Sequence, residues 1–287
     1  MASLGSGNAG PQYSGADYGY GTDHPVQADI TPYSPAATPS RGGLAAGIVA
    51  ILGLLLKFKG FALSAVSIAL AAWAYGWYFG WWAFGIGFVL LILIHESGHL
   101  LVARALRLPA TLPVMLPFLG AFVAMRQRPK TVAEEAQMAV GGPILGSIAS
   151  ALCYVGYLTA PNTYWGGLLI GLAYFGFVIN LFNLVPVTPL DGGRVMSVVS
   201  KWFNVAGLLV AVGLLLLTHF QSPILFLIVI VGAFSTWQRF RSTVADPAYY
   251  QVPTSARWAL GGVYLALLLA LTMGVEVTHG LLPPNLA

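Results

Sequence analysis

Residues 90–106 read Leu-Leu-Ile-Leu-Ile-His-Glu-Ser-Gly-His-Leu-Leu-Val-Ala-Arg-Ala-Leu, and this run decides the architecture. It is apolar enough to cross a bilayer, yet it carries two imidazoles and a carboxylate. Ionisable groups are costly at that depth and mark a functional site. His95 and His99 stand four residues apart, so on a helix they share one face and can share one ion. Glu96 lies one position round from His95, where it can reach a water on that ion without being a ligand. The H-E-x-x-H spacing is one that turns metal-held water into a nucleophile.

The 287 residues are 57% hydrophobic and 8% charged. Soluble domains carry about 25% charged residues. The fold class expected is therefore an all-α polytopic membrane protein. It should have six or seven transmembrane helices and a membrane-embedded, Pro-rich, β-hairpin-like loop. The net charge of +4 follows from topology rather than from a nucleic-acid partner, because the basic residues cluster in alternate loops. Cys153 is the only cysteine and excludes an intramolecular disulfide. No basic segment followed at once by an apolar core opens the chain, so no cleavable signal peptide is expected.

Residues 1–43 are rich in Gly, Pro, Ser and Tyr and read as a disordered cytoplasmic tail. Residues 44–60 read as a short interfacial or re-entrant helix, since 44–56 fall short of the roughly 20 residues that a span needs. The membrane core covers 61–238, with spans near 61–79, 82–106, 134–159, 165–185, 204–219 and 222–238. A cytoplasmic linker and an additional span near 257–276 complete the chain. Alternating these spans puts Lys57, Lys59, Arg104, Arg107, Arg126, Arg128, Lys130, Arg194, Lys201, Arg239, Arg241 and Arg257 on one side. By the positive-inside rule that side is the cytoplasm. Pro109, Pro113 and Pro117 exclude a stable helix from the loop after the second span, and residues 120–125 suit a short strand. Thr131 and Glu134 form a capping box, which makes Glu134 and Glu135 helix-start residues.

Two histidines leave a catalytic zinc one protein ligand short. His24, Cys153, His219, Glu276 and His279 lie in the tail or toward the opposite face. Asp191 remains, in Asn183-Leu-Val-Pro-Val-Thr-Pro-Leu-Asp191-Gly-Gly-Arg194. Pro186 and Pro189 end regular helix there, and Gly192 and Gly193 permit close backbone approach. Standing alone, Asp191 would read as a helix cap; beside an intramembrane H-E-x-x-H it reads as a ligand.

An intramembrane His95-Glu-Ser-Gly-His99 followed by N-x-x-P-x-x-x-L-D-G-G resembles the site-2 protease family of intramembrane zinc metalloproteases. Gly142-Pro143 is similar to that family's Gly-Pro element, and the Pro-rich loop ending in Gly-Ala-Phe-Val resembles its membrane-embedded hairpin. The likeness covers residues 82–200. It implies one Zn2+ held by His95, His99 and Asp191, with Glu96 as general base and Asn183 close to the scissile peptide. It makes 61–238 a protease core in a bacterial cell membrane, open to the cytoplasm. No PDZ domain or nucleotide-sensing module interrupts or follows that core, and the tail and final span match no part of the family.

The substrate expected is a transmembrane protein cleaved within the bilayer, beside a regulatory membrane partner or a second copy of the chain. Gly120 and Phe122 would bind it by adding a strand to an unwound segment. Asn183 and Asn180 could instead serve interhelical hydrogen bonding, and Gly142 with Gly146 could serve helix packing. A metal-ion transporter or a catalytically silent scaffold of the same fold are the alternatives; neither requires a glutamate beside the first histidine.

Overall fold

The computed structural model describes the backbone of residues 42–118, 120–123, 125 and 127–282. The side chains of 42–59, 122 and 243–245 lie outside the described residues, as does the expected tail through residue 41. The chain divides into two units, Met1–Ile48 and Val49–Ala287. The backbone of the first is described from Gly42 onward, where it is helical. The second holds the membrane core.

The elements in order are α1 (Gly42–Tyr78), α2 (Trp82–Ala105), β1 (Val114–Leu116), β2 (Gly120–Phe122), α3 (Val132–Thr159) and α4 (Tyr164–Asn183). There follow α5 (Asp191–Val199), α6 (Trp202–Leu217), α7 (Pro223–Ala245) and α8 (Thr254–His279), with a 3-10 turn at Ala248–Tyr250. Among the described residues, α1 from Gly60 onward, α2, α3, α4, α7 and α8 are long and apolar enough to cross a membrane. The sixteen residues of α6 are too few for an untilted span. The protein is a multi-pass membrane protein. Residues 44–60 are not a separate short helix, because α1 runs unbroken through them. Lys57 and Lys59 change polarity there, but lysine is a good helix former, and Gly60 alone costs only about 1 kcal/mol.

Local signals fix the helix ends. The Thr131 hydroxyl accepts the Glu134 N–H at 3.2 Å, and the Glu134 carboxylate accepts the Lys130 N–H at 2.7 Å. Thr163 and Ser222 cap α4 and α7 in the same way. The α6–α7 hairpin turns through His219 and Phe220, both at positive φ. Glu135, expected only to start α3, does more. Its carboxylate pairs with Arg239 of α7 at 2.9 Å and accepts the Tyr249 hydroxyl at 2.9 Å. Burial, then the neighbouring carboxylate, push the Tyr249 phenol above its usual range, so it remains a donor to Glu135.

Helix α3 occupies the centre. Ala136, Ala139 and Val140 pack with Phe177 of α4, Val195 of α5 and Leu271 of α8. On its other side, Ala149 joins a cluster with Phe84, Phe88 and Leu91 of α2 and Met115 of β1. The final helix, unmatched by the family resemblance, is thus part of the core. Gly98 of α2 and Gly141 of α3 let the two backbones touch, since a Cβ on either would strike the other's backbone. Alanine at 141 should therefore destabilise the protein by about 1–3 kcal/mol. The same change at Gly262, which faces open space on α8, should stabilise it by up to about 1 kcal/mol. Thermal unfolding of Gly141→Ala and Gly262→Ala in detergent would show these opposite signs.

Candidate metal centre

Helix periodicity places His95 and His99 on one face of α2, and the α4–α5 connection brings Asp191 to them. The His95 Nε2, His99 Nε2 and Asp191 Oδ2 atoms form a triangle with sides of 3.1, 3.2 and 3.2 Å. His95 is 4% exposed and Asp191 7%. The other ring nitrogens define the tautomers. His99 Nδ1 donates to the Met138 carbonyl at 2.8 Å, because a carbonyl can only accept. His95 Nδ1 lies 2.8 Å from Asn180 Oδ1, while Asn180 Nδ2 donates to the Gly176 carbonyl at 2.7 Å. That second bond orients the amide, so His95 Nδ1 is also the donor. Neutral rings therefore aim two bare Nε2 lone pairs and one carboxylate oxygen at a single point. Two ring nitrogens and a carboxylate oxygen in mutual contact need a positive charge among them, which a metal ion or a ring proton can supply.

The triangle fits a tetrahedral ion. Ligand bonds of about 2.0–2.1 Å separate neighbouring ligand atoms by about 3.3 Å, close to the observed sides. Two imidazoles and a carboxylate leave a fourth position open, as catalytic zinc sites do. Among the described residues, these three side chains form the one group able to hold a metal ion.

The surroundings explain why the helices meet here. Gly142 stands directly against both imidazoles, and any Cβ there would occupy ring space. Gly146 makes the same room for the Asn180 amide. Pro143 offers no N–H to the Ala139 carbonyl, which loosens α3 at the turn whose Met138 carbonyl receives His99. Gly142 and Gly146 are therefore packing residues in the strict sense that they pack against the metal-site side chains.

Asp191 is the first residue of α5, and its loop is held from two sides. Asn204 of α6 is fully buried. Its Oδ1 accepts the Thr188 N–H at 3.0 Å and the Thr188 hydroxyl at 3.1 Å. Its Nδ2 donates to the Gly193 carbonyl at 3.2 Å and to the Ser197 hydroxyl at 2.8 Å. From α8, the Tyr264 hydroxyl donates to the Leu184 carbonyl at 2.7 Å. The sequence pointed to Asn180 but not to Asn204 or Tyr264. A carboxamide within apolar α6 was the available signal, but its partners lie 7–16 residues away along the chain.

Glu96 faces a 1120 Å³ cavity together with His95, His99, Asn183, Gly120 and Ala121. Asn183 is the last residue of α4, and its amide has no hydrogen-bond partner among the described residues. Gly120 adopts φ +95, open to glycine but strained for other residues, at the turn into β2. The side chain of Phe122 lies outside the described residues; its backbone pairs with Val114.

Replacing Asn180 or Asn204 by leucine removes the group that orients one ligand while leaving all three ligands in place. Each variant should lose about 10–100-fold in metal affinity. Competition with a chelator of known affinity measures this, and unchanged affinity in a folded variant would show that the amide does not hold the ligand.

Comparison with known proteins meets this geometry from another direction. A zinc metalloprotease of Methanocaldococcus jannaschii is 30% identical over 122 residues, which are 41% of this chain and 35% of that protein. Rip3 of Mycobacterium tuberculosis, named as a candidate zinc metalloprotease, is 29% identical over 124 residues, 40% of this chain and 31% of that protein. The chain thus spans about a third of the length of the curated relatives it matches. Asp191 lies beyond the family match and is joined to it by the fold. Residues 83–164, which carry His95, Glu96 and His99 on α2 and the central helix α3, match peptidase family M50, the site-2 protease family.

Proposed function

We propose that this protein is an intramembrane zinc endopeptidase that hydrolyses a peptide bond in or near the transmembrane segment of a membrane-protein substrate. The observation that carries the reading is the convergence of three ligand atoms with Glu96 in one cavity bordered by a strand edge that is unpaired among the described residues. His95, His99 and Asp191 would hold the ion. Zinc bound there lowers the pKa of water toward about 7 and polarises the scissile carbonyl. Glu96 takes the proton of the attacking water and passes it to the leaving amine. Asn183, with its amide uncommitted, donates to the substrate carbonyl as negative charge develops on it.

The hairpin suits an extended substrate. The Met115 N–H donates to the Ser67 hydroxyl of α1 at 3.0 Å, so it points away from β2. Met115 and Ala121 are therefore a non-hydrogen-bonded pair of the antiparallel ladder. It follows that the Ala121 N–H and carbonyl point to the outer edge of β2, on the strand that borders the cavity. An unwound substrate segment adds to that edge and gains backbone bonds in place of its lost helical ones. The loop charges orient the cavity toward the cytoplasm. Arg128, Lys130 and Arg194 line it, which agrees with water entering from the positive side.

Cleavage of a labelled transmembrane peptide in detergent, with metal uptake into liposomes measured alongside, tests the reading. Glu96→Gln should keep its zinc and lose about 10²–10⁴-fold in turnover, whereas Asp191→Ala should lose both. Zinc-loaded Glu96→Gln protein that still cleaves would remove Glu96 as the base, and metal uptake without cleavage would favour a transporter. Ala121→Pro removes one outward donor without touching the β1–β2 bonds. It should slow cleavage with zinc retained, and Ala121→Val should not. Equal rates for all three proteins would take the strand edge out of the mechanism.

A further inference from the structure

We propose that the metal cavity contains a carboxylate-recognition site centred on Arg194, which selects substrates bearing acidic side chains within a few residues of the cut. The proposal rests on the protease reading and specifies its substrate class. Arg194 follows Asp191 by three residues on α5, so the two share a helix face. Its side chain is half-buried and lines the same cavity as Glu96. No described carboxylate lies within ion-pair distance of it. Among the described residues, Asp191 faces the two histidines and Glu135 pairs with Arg239.

Glu96 shares the cavity and feels the guanidinium's charge without pairing with it, and the other nearby acids are engaged elsewhere. Both oxygens of Glu135 are taken, one by Arg239 and the other by Tyr249. Asp191 faces the imidazoles. Asp246 stands exposed at the cavity edge, where it accepts the Tyr249 N–H at 3.3 Å. Arg128 and Lys130, also in the cavity wall, are exposed and have no ion-pair partner among the described residues.

A half-buried guanidinium that feels Glu96 and Glu135 through space but closes no ion pair among the described residues is only partly compensated. Its fork of donors matches a carboxylate in bidentate fashion. An acidic side chain near a transmembrane segment is costly for a substrate to bury unpaired, and Arg194 offsets that cost only in the bound state. The same chemistry would be met by the α-carboxylate that cleavage creates on the product.

The test uses the full chain carrying Glu96→Gln, zinc-loaded in nanodiscs of neutral lipid, with fluorescent transmembrane peptides as probes. One peptide has Asp-Glu-Asp beside its apolar span and an amidated C-terminus. The second has Gln-Asn-Gln there and is also amidated. The third is a Gln-Asn-Gln peptide ending in a free carboxylate at the expected cut. The acidic peptide should bind about ten-fold more tightly than the amidated neutral one, the scale of one charge-assisted hydrogen bond. A further Arg194→Gln change should bring that ratio near one, and Arg194→Lys should restore part of it. With Arg194→Glu the preference should pass to a Lys-Lys-Lys peptide. Lys201, which stacks over Phe240 at 4.5 Å and lies outside the cavity, serves as control, and Lys201→Gln should keep the ratio. A preference shown by the free-carboxylate peptide alone would overturn substrate selection and assign Arg194 to the product. Equal affinities for all peptides, or a ratio unmoved by Arg194→Gln, would overturn the site itself. Turnover by the unsubstituted protein is measured in parallel. Absence of all cleavage there would count against the protease reading while the binding ratios still decide the role of Arg194.

Discussion

Three lone pairs, from two imidazoles and one carboxylate, are forced to within 3.2 Å of one another inside an apolar helix assembly. Each ring commits its Nδ1 hydrogen to a fixed acceptor, so the facing atoms come together only around a positive charge, a metal ion or a proton. Burial makes that arrangement unfavourable without such a charge. Much of the surrounding fold can be understood as holding this triangle in place. The two histidines come from a helix that would be regular without them. Asp191 must be delivered from a break in the chain, and it is the break that needs support.

That support comes from three directions. Helix α3 presses a glycine face against the imidazoles and lends one of its own carbonyls to His99. Helix α6 inserts Asn204, whose four hydrogen bonds fasten both sides of the Asp191 turn. Helix α8 anchors the end of α4 through Tyr264 and shares a core cluster with α5. A buried amide with every valence used is rigid, whereas one left half-satisfied would cost about 1–3 kcal/mol. The ligand loop is therefore fixed by hydrogen bonds that do not involve the three ligand atoms. Such preorganisation is what a catalytic site requires of the groups around it.

The sequence displayed the parts of this design that are local and periodic. Four-residue spacing put the histidines on one face, Thr131 and Glu134 announced the start of α3, and the proline spacing excluded a helix from the loop where β1 and β2 pair, the hairpin itself being implied by the family resemblance. Helices α2, α3, α4 and α8 lie within a few residues of their expected spans, whereas α1 begins well before its span and α7 runs well past its own. The link between Asp191 and the histidines was legible because few other groups could sit at that depth. What could not be read is long-range. The Glu135–Arg239 pair spans 104 residues, and nothing in the immediate sequence of either residue names the other. The continuity of α1 was hidden because charge at Lys57 and Lys59 interrupts a hydropathy pattern without interrupting a helix. Helix α5 is nine residues long, too short to stand out from the Pro-Gly-rich segment before it.

Metal content together with X-ray absorption at the zinc edge, on protein purified without added metal, tests the central claim most directly. The expected result is one zinc per chain, with two nitrogen and one or two oxygen neighbours at about 2.0–2.1 Å. Zinc content should fall well below one per chain in Asp191→Ala, and His99→Ala reloaded with zinc should lose one imidazole from the absorption spectrum. A folded protein that takes up no stoichiometric zinc, or one whose zinc content is unchanged in Asp191→Ala, would contradict the account.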